Sequence, residues 1–135
     1  MGCSIPQDIE AVEARRPVNV VRGNFINSKR ADIAALCSVA GRSRILVMHS
    51  QTGELLASLA EAADADFMQS WTDGQFVFSR RISRTPPKVL AAAAKGGKFP
   101  RPERWRFGID DSFVGKASQI HYMSSEVWYA AAGAD

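Results

Sequence analysis

The chain reads as an α+β protein, mainly an antiparallel meander sheet of six or seven strands with two short helices. Three observations carry that expectation. Residues 20–48 hold three short runs of strand length in succession, rich in Val, Ile and Leu. Turn signals punctuate the chain at Gly41, at Gln51-Thr52-Gly53, at Asp73-Gly74 and at Ser124-Ser125-Glu126. At 135 residues and 46% hydrophobic content, the chain fits one domain over 1–135 with a core of its own.

The elements follow in order. Residues 6–14 predict a helix: Pro6 suits a first helical position, acids fill the early turns, and Ile9 and Val12 share a face. Arg15-Arg16-Pro17 closes it. Val18, Val20 and Val21 predict a strand over 18–23. Residues 31–38 and 44–49 then pair as a hairpin about Val39-Ala40-Gly41-Arg42. Residues 54–59 predict a further meander strand leading into a short helix near 64–71. The helix formers across 54–65 leave a helix as the alternative there. Aromatic and β-branched residues make 75–82 a strand. Thr85 caps a helix over 86–95, with two prolines in its first turn and Gly96-Gly97 at its end. Residues 98–108 hold two prolines and no period, so they read as a connecting loop with aromatic anchors. Strands over 114–122 and 127–132 close the chain as a hairpin. No apolar run approaches the ~20 residues that a membrane-spanning helix needs.

Within this frame, residues 23–34 (GNFINSKRADIA) carry a glycine, a phenylalanine and Asp32 at the offsets of a calcium-loop repeat. The stretch resembles the repeat of integrin-type β-propellers, the FG-GAP family, whose loop acids bind calcium before a strand. Here Asn24, Ile26 and Ser28 stand where that family places ligands, and only Asp32 keeps its charge. Calcium needs an array of oxygen ligands including carboxylates, so no calcium site is expected. One repeat cannot build a propeller of at least ~4 blades. The resemblance implies a strand–loop–strand device. More broadly, the strand run, Cys37 and residues 108–118 (GIDDSFVGKAS) resemble small exported bacterial proteins.

Charge is the second signal. Residues 80–106 contain Arg80, Arg81, Arg84, Lys88, Lys95, Lys98, Arg101, Arg104 and Arg106, opposed only by Glu103. That segment is +8 in a chain of net +3, which leaves −5 for the remainder. Such asymmetry marks a candidate anion- or partner-binding face. The residues taken to form it are Arg80, Arg81, Arg84, Lys98, Arg101, Arg104, Trp105 and Arg106. An anionic protein, glycan or lipid surface would satisfy it; single-stranded nucleic acid, held by charge and by stacking on Phe99, Trp105 and Phe107, is less favoured. The competing reading is a solvated loop pinned to the sheet by Trp105 and Phe107.

Cys3 and Cys37 are compatible with one disulfide or two free thiols. Two readings of the start place the chain in the periplasm or outside the cell. Either Met1 is a cloning start on an exported chain with Cys3 bonded to Cys37, or Gly2-Cys3 ends a lipoprotein signal and Cys3 carries the lipid. A cytoplasmic protein with two inert thiols is the alternative. No His or Cys pair has zinc-ligand spacing, and no cofactor or metal is expected.

Catalytic motifs are incomplete. Residues 108–116 (GIDDSFVGK) put six residues between the glycines where a phosphate loop has four, and Ala117 follows Lys116. No Gly-x-Ser-x-Gly elbow exists. The expected function is therefore a non-enzymatic binding or interaction module, exported in a bacterium. The alternatives are a small hydrolase using His121 or His49 with Asp110 or Asp111, and a cytosolic nucleic-acid binder.

Overall fold

A computed structural model of the chain describes residues 2–133. Met1, read above as a cloning start, lies outside the described residues. The elements run α1 (Ile9–Ala14), β1 (Val20–Asn27), β2 (Arg30–Val39), β3 (Arg42–Met48), β4 (Leu55–Ala63), β5 (Met68–Ser70), β6 (Phe76–Phe78), β7 (Arg80–Thr85), α2 (Pro87–Gly96), β8 (Gly108–Phe113), β9 (Ala117–Ser124) and β10 (Val127–Ala132). Two short 3-10 turns, Asp64–Phe67 and Thr72–Gly74, flank β5. The strands form three sheets, ordered β1-β2-β3-β4, β10-β9-β8-β7 and β5-β6, and every pairing is antiparallel. The α+β class with antiparallel sheet is as expected, but ten strands in three sheets replace the six or seven of a single meander.

The differences have local causes. The first helix begins at Ile9 rather than Pro6, because Asp8 is its N-cap and accepts from the Ala11 amide at 2.9 Å. The first strand runs on past Gly23 to Asn27, since β2 continues opposite it with a bulge between Gly23 and Asn27. The β2–β3 connection is tighter than four residues: Ala40 and Gly41 both take positive φ, the two-residue turn whose twist matches flanking strands. Residues 54–65 are strand as far as Ala63, against their helix propensity, because β3 offers a ladder from Met48↔Leu55 to Arg42↔Ala63. The short helix expected near 64–71 is one 3-10 turn followed by β5. The strand expected over 75–82 is two strands broken at Ser79, whose amide bonds the Phe67 carbonyl. Thr85 does not cap α2; it ends β7, and Pro86 holds the cap position without a side-chain bond. The strand expected over 114–122 divides likewise: residues 114–116 are a turn, β9 starts at Ala117, and the Gly108–Phe113 stretch before it is β8.

Two apolar clusters set the layers. Phe25, Leu36, Ile45 and Val47 of the first sheet meet Ile82 and Ile109 of the second, which makes a β-sandwich core. On the other face of the second sheet, Leu90 and Ala94 of α2 pack on Ile120, Tyr122 and Ala131. The second sheet is thus the middle layer, with α2 outside it. Asn19 joins the sheets at the β7 edge, where its side chain accepts from the Ile82 amide at 2.8 Å and donates to the Arg80 carbonyl at 3.3 Å. In this way a side chain supplies the ladder bonds that a neighbouring strand would otherwise make.

The N-terminal segment is tied down by covalent and ionic links. Cys3 is bonded to Cys37, and Ser4 bridges Ser38 on the part of β2 that extends beyond β1. The lipid anchor expected through Cys3 is therefore corrected: that sulfur is in a disulfide and cannot also form a thioether. Asp8 receives a two-pronged contact from Arg81 at 2.6 and 2.7 Å, which fixes α1 against β7. Burial pushes the Asp8 carboxyl up, but the Arg81 and Ala11 hydrogen bonds outweigh it and hold the group below the usual carboxylate range. Among the described residues, no helix is long and apolar enough to cross a membrane.

Candidate anion-binding face

The structure divides the predicted basic set into inward and outward cations. Arg80 is 1% exposed. Its guanidinium donates to both Asp111 oxygens at 2.9 Å, to the Ser43 carbonyl and hydroxyl at 3.0 Å, and to the Ala60 carbonyl at 2.7 Å. Arg106 is 4% exposed, ion-paired to Glu103, bonded to the Phe25 carbonyl at 2.6 Å, and stacked on Trp105. Arg81 is engaged by Asp8. These three hold the fold, and the expectation of one continuous face over 80–106 is corrected for them. Trp105 belongs with Arg106 for the same reason.

Arg84, Lys98, Arg101 and Arg104 are exposed, and so are Lys88 and Lys95. None of these six has an ion pair among the described residues. Arg84 lies over the Phe107 ring at 5.1 Å. The remaining geometry is built by α2. Its buried residues, Leu90 and Ala94, face the sheet, so residues 88, 91, 92 and 95 lie on the opposite side at helical spacing. Lys88 and Lys95 are therefore directed away from the protein.

The end of α2 places the rest. The Lys98 amide bonds the Lys95 carbonyl at 3.2 Å, and the Phe99 amide bonds the Ala94 carbonyl at 2.9 Å. This is a Schellman closure, and its left-handed residue is Lys98, with φ of 59°. Glycine usually fills that position. Gly97, one residue earlier, serves a different end: a β-carbon there would lie 2.6 Å from the Phe99 ring, so its absence lets the ring fold back over the helix end. The Tyr122 hydroxyl then donates to the Pro100 carbonyl at 2.6 Å and pins the following loop. Together Ala91, Ala92, Lys95, Lys98, Phe99 and Arg101 line a cavity of about 580 Å³. Three unpaired cations thus surround an alanine and phenylalanine floor.

Lysine in the left-handed region costs about 1–2 kcal/mol, and glycine there gives back about half of that gain through its greater unfolded freedom. Lys98→Gly is therefore expected to stabilise the chain by about 0.5–1 kcal/mol while removing one cation from the cavity. Thermal melting checks the first effect; an unchanged or lowered midpoint would remove the argument that a strained cation is maintained here.

Sequence reasoning placed Lys95 and Phe99 in the basic segment but not in the site. The signal that could have found them is the helical spacing of Lys88, Ala91, Ala92 and Lys95, read together with the glycine pair that follows.

The proposed catalytic groups are arranged differently. His121 Nε2 lies 3.1 Å from Asp111 Oδ2, in the sandwich interior. A cavity of about 300 Å³ lined by Phe67, Asp111, Phe113, Ala117, Ser118 and Gln119 lies beside that pair. Asp111 is held there by Arg80, and burial of its carboxyl is outweighed by the His121 and Arg80 hydrogen bonds, so it stays below the usual range. Asp110 points to the opposite face of β8, as strand alternation requires. Burial and the charge of Asp111 push it up, opposed by the Ser112 hydroxyl at 2.5 Å. A raised and a lowered carboxyl side by side would suit acid–base work only on one face, and these are on two. His49 accepts from the Gln51 and Thr52 amides and organises the turn after β3.

Asp32, the acid that the FG-GAP resemblance singles out, is buried in the β1–β2 hairpin and bonded to Arg30 at 2.6 and 2.9 Å. Among the described residues, no group of three or more His, Cys, Asp or Glu could hold a metal ion. Compared with known proteins, the chain matches no family model and shows no significant likeness to a curated protein or a solved structure.

Proposed function

We propose that this chain is a non-enzymatic binding module of the bacterial cell exterior, and that it takes an anionic partner on the outward side of α2. Lys95, Lys98 and Arg101 supply the charge, Phe99, Ala91 and Ala92 the apolar floor, and Lys88 extends the positive field along α2. The observation that carries this reading is the convergence of Lys95, Lys98 and Arg101, none ion-paired among the described residues, around one cavity with an apolar floor. A site at which charge is left uncompensated attracts an opposite charge from outside. The Cys3–Cys37 disulfide supports a compartment outside the cytoplasm, where such bonds persist.

Retention on a sulfated-polysaccharide (heparin) column tests the reading. Lys95→Glu, Lys98→Glu and Arg101→Glu together are expected to abolish retention at low salt. Arg16→Glu, Arg22→Glu and Arg44→Glu, which change net charge equally on exposed positions elsewhere, are expected to reduce it only modestly. Equal losses from the two triple variants would show that net charge alone is responsible and would sink the site.

A further inference from the structure

We infer that the anionic partner of this face is a lipid surface bearing negative headgroups. The inference rests on the reading above and names its partner. Its first support is shape. Lys88 and Lys95 are two helical turns apart, about 10 Å along α2, and Lys98 and Arg101 continue from its end. They project from the outer side of a helix, a form that meets an extended surface more readily than a narrow chain.

The second support is the chemistry of the cations. Three of the four are lysines, compact hydrated charges on flexible stems that suit a diffuse negative potential. Two of the segment's arginine forks, Arg80 and Arg106, are engaged inside and take no part in this face.

The third is the apolar content of the same face. Phe99 is 37% exposed and lines the same cavity as Lys95, Lys98 and Arg101, beside Ala91 and Ala92. Apolar side chains among lysines are the composition of elements that lie in the headgroup layer. A single nucleic-acid strand would instead require free aromatic faces for stacking. Here Trp105 is covered by Arg106 at 4.4 Å and Phe107 by Arg84 at 5.1 Å.

Co-sedimentation with phosphatidylcholine vesicles, with and without a minority of phosphatidylglycerol, tests the assignment. Binding is expected only to the anionic vesicles and should weaken as salt rises. Neutralising any one of Lys88, Lys95, Lys98 or Arg101 to Gln should weaken it about five-fold, and three together on the order of 100-fold. Phe99→Ser should weaken vesicle binding several-fold. In Phe99→Trp, the added fluorescence should shift to the blue on anionic vesicles and be quenched by brominated lipid. Failure to bind anionic vesicles, with heparin retention that still depends on Lys95, Lys98 and Arg101, would overturn the lipid assignment and leave the anion-binding reading standing. Vesicle binding indifferent to all four cations would overturn both. Tighter binding to a single-stranded oligonucleotide than to anionic vesicles would replace lipid with nucleic acid.

Discussion

Replacement of Arg80 by Met is expected to lower stability by about 3–5 kcal/mol, the usual consequence of removing one partner from a buried ion pair. In a domain of this size that corresponds to a melting midpoint lower by roughly 10–15 °C. Methionine fills much of the volume but offers no donor. Asp111 would lose both of its arginine bonds, and the Ser43 and Ala60 carbonyls would lose theirs. The pH dependence identifies the cause. In the native chain Asp111 is held below its unfolded value, near 4. Its contribution is therefore present above that value and lost as pH falls through the folded one. Without Arg80 only His121 opposes burial, so the carboxyl rises from its native value. The stability that the variant lacks at neutral pH is then the part that the native chain itself loses on acidification. Urea midpoints of the two proteins should therefore converge on acidification from pH 7. Arg80→Met with Asp111→Leu should recover part of the loss. A deficit below about 1 kcal/mol and constant with pH would mean that the pair contributes little, as exposed pairs do.

Reduction of the Cys3–Cys37 bond is expected to cost about 4 kcal/mol, the loop-closure value for a sequence separation of 34 residues. The midpoint should fall by roughly 12 °C. The closed loop contains α1 and β1, and the bond draws Ser4 onto the free edge of β2. Cys3→Ser should match the reduced protein, since both free the same segment. Ser4, Asp8 and the Asn19 contact with Pro6 would then depend on noncovalent links alone. A shift of less than about 3 °C on reduction would show that Arg81 and Asn19 hold the segment without the disulfide. The comparison also bears on the proposed compartment, because the stable form is the oxidised one.

The extent to which the fold was legible in the sequence follows from the range of the interactions involved. Val127–Ala132 was read to the residue, because Ser125-Glu126 and the β-branched and aromatic content beside it are local signals. Gly108–Phe113 was missed because glycine and two aspartates are poor strand formers. What makes it a strand is Arg80 receiving Asp111 on the inner face, and β7 and β9 pairing on its two sides. The 54–65 stretch was ambiguous for a related reason: its helix propensity is real, but a ladder with β3 outweighs it. Thr85 looked like a cap from its neighbours and proved to be the end of a strand.

The same division separates the two kinds of arginine. The sequence by itself determined the antiparallel class, most of the turns, the identity of the only cysteine pair and the location of the positive charge between residues 80 and 106. These depend on backbone preference and composition, which are properties of a residue and its near neighbours. Only the tertiary structure decided that Arg80 and Arg106 turn inward while Lys95, Lys98 and Arg101 remain unpaired. The acids that claim Arg80 and Arg81 lie 31 and 73 residues away along the chain. A charge is neutralised by what folding brings within a few ångströms, and sequence spacing does not record that distance.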